Sequence, residues 1–531
     1  METSTVFFTK KGLLVSILLI LLTIFIAIPI VKTIKLTPDS ILYALMSKSI
    51  LSGNGMKVPV IRLTDNYIPV NGTVPYPEEA PLLPLLLALL GGVTPENFLP
   101  AQIINTISLI IISLFTFFIM QRLQDNTIIS FITAVSVSMS FPVLWAMNHI
   151  STEPPFIALS ISALYFLIMA RQNPAHRFYG NIFTAGILSS LAFLARFPGL
   201  FIIPSFFWVT LLLLKNKEKT SKYVVTLFSS ALPIITAGII FINNYLITGN
   251  IYGWEYPPFK RTFIEALFGT IKMIFQQFPL GKNSIILIVL FILVFASFLI
   301  LNIGRSREEF IKYLNKGLDL VIIFIISYII VIALALTKSQ PIYEIRFVYP
   351  SVPSLFTLFV SAIVLFWKTI QSIGFKRLST YGIILSLVIL TSLNLYKTYL
   401  HHKRFLEHKE EAIYSILKTS TYKWLKEHYG NNTIITTNRP FPLSFFSGYS
   451  TVALPHKRFI PSTIVPEEME SLLPQKMSRF GSTVLALFEG IEERYDGGYI
   501  ATLFYNRKNN QTFDLIYEST DGVIYELKYS K

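Results

Sequence analysis

The sequence has no cysteine in 531 residues, so disulfides, thiolate metal sites and cysteine nucleophiles are excluded. Charge is also scarce: Asp, Glu, Lys and Arg together make up 14% of the chain, while 53% is hydrophobic and the mean hydropathy is +0.57. A water-soluble domain is about a quarter charged, so this balance describes a polytopic membrane protein. No GxxxxGK[ST] or GxGxxG stretch is present to cradle nucleotide phosphates, and no GxSxG elbow presents a serine nucleophile. No spacing of His, Asp and Glu marks a transition-metal site. Internal repeats and low-complexity tracts are missing, which gives no support to a solenoid or a repeat-built transporter.

The net charge of +15 is distributed in short gaps between apolar runs and forms no basic stripe interleaved with aromatics, so nucleic acid is not the expected partner. Gly12 to Val31 is long enough to cross a bilayer and no small-residue cleavage site follows, so it reads as an uncleaved first span. Further spanning runs lie near 99–121, 127–147, 154–170, 179–195, 199–214, 223–246, 283–303, 318–337, 347–367 and 379–400, about eleven spans in all. With a cytoplasmic N-terminus, the inner gaps carry Lys10, Lys11, Arg122, Arg171, Arg177, Lys215, Arg305 and Lys368, which is the positive-inside pattern. The outer gaps are longer and hold Asp39, Asp65, Glu78, Glu79, Glu153, Glu255 and Glu344, so acid–base chemistry is expected there. The N-x-T triplets at Asn71, Asn431 and Asn510 also fall on that side. The chain divides into a transmembrane domain, 1–400, whose first outer loop is 32–81, and an extracytoplasmic α/β domain, 401–531. In that tail TIITT, STVLALF and YIATLFY are strand-like, and TFDLIYESTDGVIYELKY predicts a hairpin turning at Asp521 and Gly522.

The first outer loop far exceeds the roughly two to eight residues that usually join bundle helices. Its TPDSILYALMSKSILSGNG stretch predicts a short interfacial helix with Ile41, Leu42, Leu45, Met46 and Ile50 on one side. Asp39 there has two readings: a first-turn carboxylate behind the N-cap Thr37 and Pro38, or an acid with a chemical task. Glu78 and Glu79 precede a second short apolar helix, with Tyr76 as an aromatic anchor. His149 and Glu153 sit at the turn of MNHISTEPPFIALSISALYFL. Arg196, in GILSSLAFLARFPGLFIIP, has no acidic neighbour in sequence and requires an anion, either a carboxylate of another loop or a lipid phosphate. Glu344 and Arg346 either pair with each other or leave Arg346 to face the same anion.

In order and topology these motifs resemble the C-type (GT-C) membrane glycosyltransferases, in particular the lipid-phosphate-sugar-dependent group that includes protein mannosyltransferases and the aminoarabinose transferase of lipid A. The resemblance runs from PDSILYALMSKSILSGNG and YPEEAPLLPLLLALL through IYEIRFVYPSVP into STYKWLKEHYGNNTIITTNRPFPLSFFSG. It departs at Ser40, where mannosyltransferases often have a second acid, and at Glu78-Glu79-Ala80-Pro81, where the aminoarabinose branch usually has Lys before Pro-Pro. The resemblance implies an all-α polytopic membrane domain with interfacial helices in the first outer loop plus a small C-terminal α/β domain. It implies a polyprenyl- or dolichyl-phosphate sugar as donor, a glycan, lipid or protein acceptor, and transfer with inversion at the outer membrane face. Asp39 would be the general base; Tyr43, Glu78, Glu79, His149, Glu153, Arg196, Glu344 and Arg346 would bind substrate, the arginines facing the lipid phosphate. No cofactor is expected, and a divalent metal is left open. The competing reading is a polytopic transporter or lipid-linked-sugar flippase, whose charges would be sought near the bilayer midplane rather than at the ends of spans.

Overall fold

The computed structural model describes residues 10–62, 72–77, 79–172, 177–251, 253, 261–277, 308, 310–338, 345–372, 376–407, 412–454, 466–488 and 512–528. The run near 283–303 and the strand-like YIATLFY therefore lie outside the described residues, as do Asp65, Glu78, Glu255, Glu344, Asn71 and Asn510. The chain forms two compact units. The first comprises 1–34, 102–243 and 258–407; the second comprises 35–101, 244–257 and 408–531.

In the first unit the helices are α1 (Lys10–Val31), α4 (Leu99–Gln124), α5 (Thr127–Ser138), α6 (Phe141–Met147), α7 (Glu153–Gln172), α8 (Phe178–Ala195), α9 (Ile203–Lys215), α10 (Thr220–Thr248), α11 (Phe263–Gln277), α12 (Asp319–Lys338), α13 (Val352–Ser372) and α14 (Lys376–Glu407). Among the described residues nine helices are long and apolar enough to cross a membrane, or ten if the bent pair α5 and α6 counts as one span. The chain is thus a multi-pass membrane protein. The expected single span at 127–147 is broken by a 53° bend. Its cause is local: Ser140 is extended, as the start of a new helix requires, and Pro142 occupies the first turn of α6, where its missing N–H costs nothing.

Lipid and protein faces separate cleanly. Only 22% of the apolar window of α1 is buried, and Leu14 and Phe25 are 67% and 76% exposed, an arrangement that only hydrocarbon solvent tolerates over so many residues. By contrast 89% of the α7 window is buried, which makes α7 the central helix of the unit. Leu109, Met120, Val137, Ile157, Val352, Phe356 and Leu387 knit α4, α5, α7, α13 and α14 into one core. At the end of α7 away from Glu153, Arg171 forms an ion pair with Asp319, whose other carboxylate oxygen accepts from Trp208 Nε1 at 2.6 Å. Beside them a chain runs from Lys368 Nζ to Tyr313 Oη and on to Gln124 Oε1, each step 2.8 Å. Polar groups in hydrocarbon must find partners within the protein, and these do.

The second unit contains α2 (Pro38–Leu51), α3 (Leu82–Leu89), α15 (Ala412–Ser415), α16 (Ser420–His428), α17 (Pro440–Ser447) and α18 (Pro466–Arg479). Its strands are β1 (Lys57–Val58), β2 (Val60–Arg62), β3 (Val74–Pro75), β4 (Ile434–Thr437), β5 (Ser450–Ala453), β6 (Val484–Phe488), β7 (Phe513–Ser519) and β8 (Gly522–Leu527). β1 and β3 form an antiparallel ribbon, and the others form a six-stranded sheet in the order β2-β5-β4-β6-β8-β7. The first four strands in that order run parallel and the β7–β8 hairpin closes the far edge. The sheet thus takes its other edge strand from the first loop, with Val60 opposite Thr451 and Arg62 opposite Ala453. β6 is buried at every position, as expected for a strand covered on both faces. Leu425, Ile435, Leu443, Tyr449, Val484 and Ile524 form the core beneath it.

Candidate functional site

In the first unit the best charged group forms where α7 begins and α8 ends. Glu153 occupies the first turn of α7 with Pro154 and Pro155 behind it, positions that favour a carboxylate and tolerate proline. Arg196 caps the C-terminus of α8 in an extended conformation, the end of a helix that favours a cation. α8 stops there because Pro198 and Gly199 turn the chain into a 3-10 segment, Phe197–Ile202. Gly199 is required by packing, since a Cβ would lie 2.5 Å from the Phe193 nitrogen. Arg196 Nη1 donates to Glu153 Oε1 at 2.5 Å, with the Glu153 side chain 3% and the Arg196 side chain 15% exposed. Of the two anions the sequence allows for Arg196, the carboxylate is therefore already in place.

Arg346 belongs to the same group. Its charge acts on both Glu153 and Arg196, and the Arg196 and Arg346 guanidinium carbons lie 5.6 and 5.8 Å from the ring centre of Phe347. The backbone of Phe347 is held by Tyr328, whose buried hydroxyl donates to the Phe347 carbonyl at 2.5 Å. His149 joins through aromatic contacts. Its ring lies 4.1 Å from that of Trp145, which meets Tyr349 edge-on at 5.4 Å. Nδ1 of His149 donates to the Trp145 carbonyl at 2.7 Å, which fixes the orientation of the ring. Asn105, buried in α4, fixes this turn by donating to the carbonyls of Met147 and His149 at 2.7 and 2.9 Å.

The second unit holds the loop acid. Thr37 Oγ1 accepts from the Ser40 N–H at 3.1 Å, Pro38 opens α2, and Asp39 lies half-buried in its first turn. The helix-start reading of Asp39 is thus realised, with Thr37 rather than Asp39 supplying the capping oxygen. Tyr43 is one helical turn further on the same face, and its hydroxyl donates to Glu79 Oε2 at 2.8 Å. That bond ties α2 to the segment leading into α3. Arg62 stacks over the ring of the buried Tyr76 at 4.2 Å. Residues Ser40 to Ser47 are buried without interruption, so α2 is packed all round there rather than along one stripe.

The structure therefore gathers Glu153, Arg196, Arg346 and His149 in one unit, and Asp39, Tyr43 and Glu79 in the other. Tyr328, Tyr349, Phe347 and Asn105 were not singled out from sequence. The signal for Asn105 and Tyr328 was present, since each is a polar side chain inside an apolar run. Among the described residues no group of three or more His, Asp or Glu is placed to hold a metal ion.

A broken multi-helix bundle whose long first loop joins a small α/β domain defines the chain as a GT-C-type polytopic membrane fold. Solved structures share it: ArnT from Cupriavidus metallidurans bound to undecaprenyl phosphate aligns over 97% of this chain and 98% of its own, with a TM-score of 0.57 and 10% identity. The apo form of that protein aligns equally well. The archaeal oligosaccharyltransferase AglB from Archaeoglobus fulgidus, in complex with an inhibitory peptide and a dolichol-phosphate, aligns over 89% of this chain and 69% of its own, with a TM-score of 0.50 and 12% identity. No protein-family model matches the sequence, and no curated protein matches it.

Proposed function

We propose that the chain is an inverting glycosyltransferase that moves a sugar from a polyprenyl- or dolichyl-phosphate donor to an acceptor hydroxyl at the outer membrane face. The observation that carries this reading is the Glu153–Arg196 pair, with the charge of Arg346 acting on both, in a bundle that shares its fold with proteins solved bound to undecaprenyl phosphate and dolichol-phosphate. A guanidinium has five N–H donors, and the bond to Glu153 engages one nitrogen of Arg196. The others, with Arg346, suit a phosphate by geometry as well as charge.

In this scheme the acceptor oxygen attacks the anomeric carbon as the bond from that carbon to the phosphate oxygen breaks. The acceptor proton passes to Asp39, a transfer worth roughly 10²–10⁴-fold. The leaving phosphate keeps the bonding electron pair, and Arg196 and Arg346 stabilise its charge as preorganised cations. Glu153 holds Arg196 in the orientation this requires, while Tyr43 and Glu79 position the segment around Asp39. The basic inner gaps favour a cytoplasmic N-terminus with the acidic loops and the tail outside.

Incubation of the purified full-length protein with a panel of labelled polyprenyl-phosphate sugars tests the reading. One or more donors should be consumed with release of the lipid phosphate, and the product should have the opposite anomeric configuration. A transporter would move lipid-linked sugar across a vesicle wall and leave the sugar–phosphate bond intact.

A further inference from the structure

A groove of about 580 Å³ lies within the first unit, between α9 and the start of α12. Ile203, Phe207 and Leu211 form one wall, spaced four residues apart and so aligned on one face of α9 over about 12 Å. Leu314, Ile322 and Ile323 form the other wall. Trp208 and Asp319 make the floor, and both are engaged: the indole N–H donates to one carboxylate oxygen at 2.6 Å, and Arg171 pairs with the other. Among the described residues the groove therefore presents hydrocarbon to a ligand, its one charged side chain being already matched. Phe207 and Leu211 are 48% and 57% exposed although they lie in a helix apolar enough to span a membrane, so the groove opens to the bilayer rather than to water.

The same row of α9 continues to Lys215, four residues beyond Leu211, and Lys217 and Lys219 follow in the turn into α10. All three lysines are exposed. Glu218, the one acid between them, is held by Lys222 at 2.7 Å, so it does not neutralise the three. We propose that the groove holds one acyl chain of an anionic phospholipid whose head group lies against Lys215, Lys217 and Lys219. The two halves of the site select this occupant together: apolar walls take a lipid tail, and an unmatched cationic rim at the end of a span favours a negative head group over a zwitterionic one. A polyprenyl-phosphate donor fits poorly, because its phosphate is assigned to Arg196 and Arg346. α9 begins seven residues after Arg196 and runs away from it to the lysines, and Arg171 on the groove floor is at the end of α7 away from Glu153. A lipid with its head group at Lys215 thus stands in the leaflet opposite the donor. The site stands on the groove and its rim and is independent of the transferase reading.

The test titrates the purified full-length protein in a nonionic detergent with dioleoyl-phosphatidylglycerol or dioleoyl-phosphatidylcholine and counts retained lipid by native mass spectrometry. One phosphatidylglycerol should be retained at concentrations about tenfold or more below those that phosphatidylcholine needs. The triple change Lys215→Gln, Lys217→Gln and Lys219→Gln should erase that preference. Leu211→Trp, which fills the groove and leaves the lysines in place, should weaken retention about tenfold or more. All four positions are exposed, so the variants should keep the thermal midpoint of the unaltered protein in lipid-free detergent. A polyprenyl phosphate should not displace the phosphatidylglycerol. The proposal is overturned if the two phospholipids are retained alike, if either folded variant binds as the unaltered protein does, or if polyprenyl phosphate displaces the bound lipid. A dimer that Leu211→Trp disrupts would also overturn it, by giving the groove to a second copy of the chain.

Discussion

Glu153 and Arg196 are 43 residues apart in sequence and 2.5 Å apart in space, one at the start of α7 and the other at the end of α8. Each carries the charge its helix end favours, and both are withdrawn from solvent. Desolvation offsets much of the attraction in such a pair, so its removal is felt chiefly as the charge left behind.

Glu153→Ala should therefore cost about 3–5 kcal/mol of stability, read as a large fall in thermal midpoint in detergent. The double change Glu153→Leu with Arg196→Met should recover most of that loss, because no lone buried charge remains. A double variant as unstable as the single one would show that the pair is not the source of the effect.

Arg346→Ala should weaken binding of a polyprenyl-phosphate sugar by roughly 10- to 100-fold, the loss of one charge-assisted hydrogen bond at about 1.5–3 kcal/mol. Arg346→Lys should recover only part, since an ammonium lacks the planar fork. Unchanged donor affinity in folded Arg346→Ala would remove Arg346 from the phosphate site.

Tyr43→Phe removes the hydroxyl that reaches Glu79 and nothing else. It should lower stability by about 1.5 kcal/mol, the scale of a hydrogen bond to a charged group. Glu79→Gln should cost less than Tyr43→Phe, because the amide oxygen still accepts from the Tyr43 hydroxyl and only the charge assistance is lost.

Asp521 links the β7–β8 hairpin to the start of α16. Partial burial opposes ionisation of Asp521, but its carboxylate accepts from Thr421 Oγ1, from the N–H groups of Ser420 and Thr421 and from Ser519 Oγ, and these bonds hold its pKa at about 2 against an ordinary 3.8. A folded-state value below the unfolded one gives stability that is present above about pH 4 and is lost as pH falls toward 2. After allowance for solvent screening this is of order 1 kcal/mol. Hydrogen-exchange protection at Ser420–Tyr422, taken relative to the intrinsic exchange rate at each pH, should fall over that window, and Asp521→Asn should flatten the dependence.

Local signals made much of this legible in the sequence. Apolar runs of spanning length, the Thr37-Pro38-Asp39 helix start and the β7–β8 hairpin are all set by residues within one or two turns of each other. The hairpin turns at Thr520 and Asp521, one residue before the expected Asp521 and Gly522, because Gly522 pairs with Ser519. What the sequence did not disclose depends on distant partners. The three residues Val60–Arg62 carry too short a pattern to announce a strand, yet they become the edge of a sheet by pairing with residues nearly 400 positions later. Arg196 left two anions open because its carboxylate lies in another turn. The bend between α5 and α6 was hidden by hydropathy, which counts Pro142 as one residue in an apolar run and is blind to its lost N–H.

The central claim is that Asp39 takes the acceptor proton. Its most direct measurement compares Asp39→Asn with the unaltered protein for both transfer and donor binding, using a polyprenyl-phosphate sugar that the latter consumes. An amide can still start α2, so folding and donor affinity should persist while the transfer rate falls by about 10²-fold or more. Transfer by Asp39→Asn at the unaltered rate, with normal folding, would contradict the account and leave Asp39 as a helix-starting residue alone.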